Sequence, residues 1–207
     1  MNVDASRASR LALLAALSNL VLGGAALGVG LTEGAIALWG LGAACLLQVP
    51  PALSLRGRVL DGLGNSGLER ERVTLRVVSV LIRMLALAMA MASVSALLGE
   101  RAPQAGLATL GLAILVLGLQ VALWCLKQDL AGIHPALVLD ASRTRTMLEL
   151  AALLLAGSLL GRWFPGADAI TGLGIALRLF LAGRTLARGT TLQAAACGGC
   201  GSGCGCG

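Results

Sequence analysis

Leu11-Ala-Leu-Leu-Ala-Ala-Leu-Ser-Asn-Leu-Val-Leu-Gly-Gly-Ala-Ala-Leu-Gly-Val-Gly30 runs for 20 residues without a charged side chain. As an α-helix it is about 30 Å long, the thickness of a bilayer's hydrocarbon core. Five further apolar stretches follow: Ala35–Leu53, Val77–Leu98, Ala105–Leu126, Leu137–Leu160 and Ala169–Ala187. In lipid no water is available for open backbone groups, so each stretch is expected to be helical. The prediction is an all-α membrane protein. A six-helix bundle over 11–187 follows an N-terminal segment, 1–10, and precedes a tail, 188–207.

Composition agrees. Hydrophobic residues make up 57% of the 207-residue chain and charged residues 13%, more apolar surface than one soluble core of this size hides. The first stretch is long enough to span, and no Ala-x-Ala site with a polar start follows it, so no cleaved signal peptide is expected. The chain lacks tyrosine, which leaves Trp39, Trp124 and Trp163 as interfacial aromatic residues. The net charge of +6 does not point to nucleic acid, because the cations sit between apolar runs and are not interleaved with aromatics.

Those cations set the orientation. With the N-terminus inside, the inner segments hold Arg7, Arg10, Arg56, Arg58, Arg70, Arg72, Arg76, Lys127, Arg143, Arg145, Arg184 and Arg188. The outer loops hold only Arg101 and Arg162. The positive-inside rule then places both ends in the cytoplasm of an inner or plasma membrane, with the lipid bilayer as the first partner.

Between the stretches, Leu31–Gly34 and Gly99–Gln104 read as tight outer turns, and Ser54–Arg76 as a longer inner loop with turn chemistry at Asp61-Gly62 and Gly64-Asn65. Pro135 suits the first turn of the fifth helix. The first half of that helix is amphipathic, so it is expected to start in water and enter the membrane near Met147.

Two regions carry a resemblance. Leu11–Leu53 contains Leu17-Ser-Asn-Leu-Val-Leu22 and Glu33-Gly-Ala-Ile-Ala-Leu38. Pro135-Ala-Leu-Val-Leu-Asp-Ala-Ser-Arg-Thr-Arg-Thr-Met147 is followed by Leu148–Leu160 and Asp168–Leu186. Together they resemble the first two and last two helices of the cation diffusion facilitator family, proton-coupled exporters of zinc and related divalent metals. About twenty residues follow the sixth stretch, so the resemblance is to the short, transmembrane-only members. It implies six spans with the N-terminus inside, a homodimer and metal efflux.

The family's four transport ligands map, by the same resemblance, to Ala44, Gln48, Arg143 and Met147. Paired ligands four residues apart share a helix face, and two such helices can surround a tetrahedral ion. Alanine and methionine supply no oxygen or imidazole nitrogen, and arginine repels a cation. Asp140 matches a family aspartate one turn before the site. Glu149 is ionisable within a span, which marks it for a transport path or for a pair with Arg145 or Arg83. Gln48, Asp140, Arg143 and Glu149 are therefore the transport-path candidates.

Other residues read more plainly. Arg83 and Arg178 are expected to snorkel to the interface, Gln48 and Gln120 to bond between helices, and Cys45 and Cys125 to act as small hydrophobes. Gly24/Gly28 and Gly157/Gly161 are small-xxx-small pairs suited to helix contact, and His134 is a loop residue.

The tail differs. Cys197, Cys200, Cys204 and Cys206 place four thiols in ten residues among glycines. Thiolates on such a pliable backbone suit soft ions, and in a reducing cytoplasm they are expected to capture Zn(II), Cd(II) or Cu(I) as a metal partner. No fixed structure is expected after Ala196 without a ligand. An enzyme is not expected, since no nucleophile–base set or phosphate-binding loop is present. The leading expectation is a cation-transporter-like protein for heavy-metal efflux or handling. The alternatives are a non-transporting scaffold or accessory subunit that has lost the site, and a carrier compatible with anions.

Overall fold

The computed structural model describes residues 3–61, 68–99, 106–131 and 135–198, and every element among them is helical. The helices are α1 (Val3–Glu33), α2 (Ile36–Leu47), α3 (Val49–Leu60), α4 (Leu68–Leu98), α5 (Leu107–Ala131), α6 (Pro135–Leu160) and α7 (Ala167–Gly198). His134, Arg101 and the Gly64-Asn65 turn lie outside the described residues.

Five segments are long and apolar enough to cross a membrane: Ser6–Glu33, Ile36–Leu60, Glu69–Leu98, Leu107–Asp129 and Ala167–Arg188. α6 has the length, 26 residues, but carries Asp140, Arg143, Arg145 and Glu149 and is not among the five. Large apolar side chains cover the outer faces, with Leu14, Leu17 and Val21 exposed on α1 and Met84, Leu87 and Met91 on α4. Each trio follows helical spacing along one face, the inverse of a water-soluble surface.

The second apolar stretch is two helices. Pro50 and Pro51 occupy the first turn of α3, where a missing N–H costs nothing, but a continuous helix through them would lose bonds and clash with the preceding turn. Gln48 sits at the break, and its N–H turns back to Cys45 O at 3.0 Å. The inner loop expected over Ser54–Arg76 is also largely helical: α3 continues to Leu60 and α4 begins at Leu68. A buried Arg58–Glu71 ion pair ties these extensions together. α7 likewise continues past Ala187 to Gly198, into the stretch expected to be a tail.

The broadest helix contact is α4 with α7, followed by α1 with α2 and α5 with α6. The shared core includes Leu38, Leu41, Met89, Leu150, Leu154 and Leu179. α1 and α2 meet through Gly23 and Gly42. A methyl group on Gly42 would stand 2.5 Å from the Leu27 backbone nitrogen and 2.8 Å from Gly23 O. Gly24 and Gly28 face outward with open space where a side chain would go, so they do not pack the bundle. Gly157 does, against Thr171 of α7, whereas Gly161 meets only its own preceding turn.

Helix ends are capped from a distance. Gly34, with φ of 70°, makes the turn between α1 and α2 that a side chain would strain. Ala35 then opens α2 without a capping oxygen. Asp168, at the start of α7, supplies it: Ile36 N–H donates to Asp168 Oδ2 at 2.7 Å and Ala37 N–H to Oδ1 at 3.4 Å. Similarly, Glu33 at the end of α1 accepts from Gly106 N–H at 3.3 Å and Thr109 Oγ1 at 2.5 Å, at the start of α5. Both carboxylates satisfy amides that lipid could not.

Candidate functional site

A layer of polar side chains crosses the bundle where α1, α5, α6 and the α2–α3 break converge. Asn19 of α1 accepts a hydrogen bond from Gln120 Nε2 of α5 at 3.0 Å. Two turns further along α5, Lys127 Nζ meets Asp140 Oδ2 of α6 at 2.7 Å and donates to Thr144 Oγ1 at 2.9 Å. Arg143, one turn on from Asp140, holds an Nη2 3.7 Å from Asp140 Oδ1, beyond hydrogen-bond length. Lys127 is 8% exposed, and Asp140 and Arg143 are 7% each, so the three charges sit inside the protein.

The first half of α6 is two-faced: Asp140, Arg143 and Thr144 turn into the bundle, while Val138, Ser142 and Arg145 stay exposed. Lys127 gives Asp140 a buried partner and removes the drive toward solvent. Lys127 itself is not simply a charge at the membrane edge.

Lys127 and Arg143 contribute two positive charges and Asp140 one negative, which leaves one positive charge uncompensated. Asp140 is drawn to Lys127. Arg143 Nε and Nη1 are buried and have no hydrogen-bond partner among the described residues.

Gln48, Arg143 and Met147 line one narrow cleft with Lys127 and Asp140, so three of the four positions mapped from the resemblance do come together. With a volume of about 10 Å³, the cleft has room for one water at most. Ala44, the fourth, is fully buried in the apolar core. Met147 is buried there too. Among the described residues, no three His, Cys, Asp or Glu side chains are grouped to hold a metal ion.

Gln48, Arg143 and Met147 also border a larger cavity of about 360 Å³ between α4, α6 and α7. Its walls are chiefly apolar, and Ser142, Thr146 and Thr185 add hydroxyl groups.

Glu149 stands apart from this layer. It accepts from Arg178 Nε at 2.7 Å, pairs with Arg178 Nη2, and lies 3.4 Å from Arg145 Nε. Arg178 thereby bridges α7 to α6. Arg83 does not take Glu149 in this arrangement, and its Nε donates instead to Ser79 O at 3.1 Å. Of the cysteines, Cys45 is buried and Cys125 exposed, both as free thiols. Cys197 falls in the last turn of α7, and its side chain, with Cys200, Cys204 and Cys206, lies outside the described residues.

Lys127 is the one member of the layer that sequence reasoning assigned elsewhere. A signal was present: it is the sole lysine among sixteen basic residues. A compact ammonium fits a closed three-way contact that a planar guanidinium would overfill. Compared with protein-family models and with curated proteins, the chain matches none.

Proposed function

We propose that this chain is a small multi-pass membrane protein of the cation diffusion facilitator type, engaged in heavy-metal handling or efflux. Its C-terminal cysteines capture the soft cation, and α6 is the sixth span, with both ends cytoplasmic. α6 suits a crossing in that Asp140 and Arg143 are turned inward and Glu149 is paired with Arg178 and Arg145.

The observation that carries the metal reading is in the sequence: four thiols, Cys197, Cys200, Cys204 and Cys206, fall within ten residues, beginning nine residues after a segment fit to span. Thiolates bind in deprotonated form, so capture weakens as pH falls. The test is the metal content of purified full-length protein against a form lacking Cys197–Gly207, loaded alike with Zn(II), Cd(II) or Cu(I). The full chain retains metal and the shortened chain does not. Equal contents remove the capture role.

A second reading is favoured by the Lys127–Asp140–Arg143 layer at the mapped transport positions. An uncompensated positive charge there opposes passage of a divalent cation, which supports a scaffold or accessory subunit that holds metal without moving it. Zinc and cadmium uptake by proteoliposomes separates the two. Uptake above that of empty vesicles removes the scaffold reading, and none removes transport by the isolated chain.

A further inference from the structure

We infer that the cavity between α4, α6 and α7 is a binding site for an amphipathic organic monoanion, with its acidic head on Arg143 and its apolar tail along the cavity walls. The inference is independent of metal capture at the tail.

Three observations lead there. The first is charge. Arg143 cannot lose its proton in a protein, so its charge must be met by a counter-charge or by water. Asp140 is committed to Lys127 at 2.7 Å and stands 3.7 Å from Arg143. One negative charge neutralises the layer; two would leave it negative. A carboxylate or a phosphodiester fits, whereas a fully ionised phosphate monoester does not.

The second is hydrogen bonding. Arg143 lines the cavity and is 7% exposed; its Nε and Nη1 have no partner among the described residues and are closed off from water, so an anion head reaches them only with a turn of the Arg143 side chain. Buried guanidinium nitrogens are strong donors that match an oxyanion, and native proteins rarely leave them unmet. Ser142 and Thr146 line the same cavity but give their hydroxyl protons to Leu139 O and Ser142 O, so the head depends on Arg143 as its donor.

The third is shape. About 360 Å³ lies within the range of small-molecule pockets, roughly 300–1,000 Å³. Leu75, Ile82 and Leu179 form buried apolar walls, which suit a hydrocarbon chain and would not suit a bare inorganic ion. Val138, Ser142 and Thr185 line the cavity and are exposed, so its mouth reaches the surface of the bundle between α6 and α7.

The ligand can come from the bilayer, as an anionic lipid, or from solution, as a medium-chain acid. The experiment uses the full chain in nanodiscs of zwitterionic lipid, titrated with decanoate and, in parallel, with decanol and chloride. A second arm includes phosphatidylglycerol in the disc. Decanoate binds saturably, and decanol and chloride bind at least tenfold more weakly. Arg143→Met, which keeps length and removes charge, weakens decanoate at least tenfold. Ala182→Phe, which fills the cavity and leaves Arg143 in place, does the same, so a folding failure of one variant does not decide the matter. Competition by phosphatidylglycerol identifies a lipid source, and its absence a soluble acid. Undetectable decanoate binding in both disc types, or equal binding by wild type and both folded variants, overturns the inference.

Discussion

Lys127 Nζ stands 2.7 Å from Asp140 Oδ2, and this contact joins α5 to α6 inside the bundle, beside Thr144 and Arg143. Arg143, one turn on from Asp140, shares the inward face of α6 with it. Removing only one partner leaves a buried charge uncompensated. Asp140→Asn is expected to destabilise the protein by about 3–5 kcal/mol. Lys127→Met with Asp140→Leu, which removes both charges, is expected to cost much less than the two single changes combined. A double-mutant cycle from chemical unfolding in detergent checks this, and additive losses would show that the pair does not act as a unit.

Asp168 caps a helix from which it is 132 residues distant in sequence. Asp168→Ala is expected to cost about 0.5–2 kcal/mol, the range for loss of an N-cap, and to speed hydrogen exchange at the Ile36 and Ala37 amides. Asp168→Asn keeps an oxygen acceptor and should retain much of the protection. Unchanged exchange in the alanine variant would mean that water replaces the carboxylate there.

Glycines at and away from the contact of α1 with α2 give opposite expectations. Gly42→Ala forces a methyl against the Leu27 backbone and should lower stability by about 1–3 kcal/mol. Gly24→Ala and Gly28→Ala meet open space and should be neutral or slightly stabilising in the same melt. Equal behaviour of the three would contradict the close approach of α1 and α2.

The sixth span has a parity test. If α6 crosses with the other five, the two ends of the chain lie on the same side of the membrane; with five crossings they lie on opposite sides. Reporter fusions at each end, active only in the cytoplasm, are expected to report the same compartment. A split result removes α6 from the membrane and with it the six-span proposal.

The helices were legible because lipid leaves a long apolar run little choice of backbone. Even the break at Gln48 had its cause in plain view, at Pro50-Pro51. Side-chain partnerships were less legible, and the distance between partners explains why. Arg145 was visible as a neighbour of Glu149 because the two share a helix face, whereas Arg178 approaches from another helix and 29 positions away. Asp140 and Arg143 were marked by resemblance, but their inward direction depends on Lys127, whose charge also fits an orientation signal. A positive residue near a helix end does not declare whether it meets headgroups or a carboxylate inside.

The cap and the ion pair also anchor the two helices that meet at the break. α2 is fastened to the start of α7 by Asp168, and α3 to α4 by the Arg58–Glu71 pair. Gln48 lies between these two clamps, and it borders both the cleft and the larger cavity. Because α4 and α7 also share the broadest contact in the bundle, both anchors rest on one seam, and Gln48 stands as the keystone of an arch whose two feet cannot part without opening that seam.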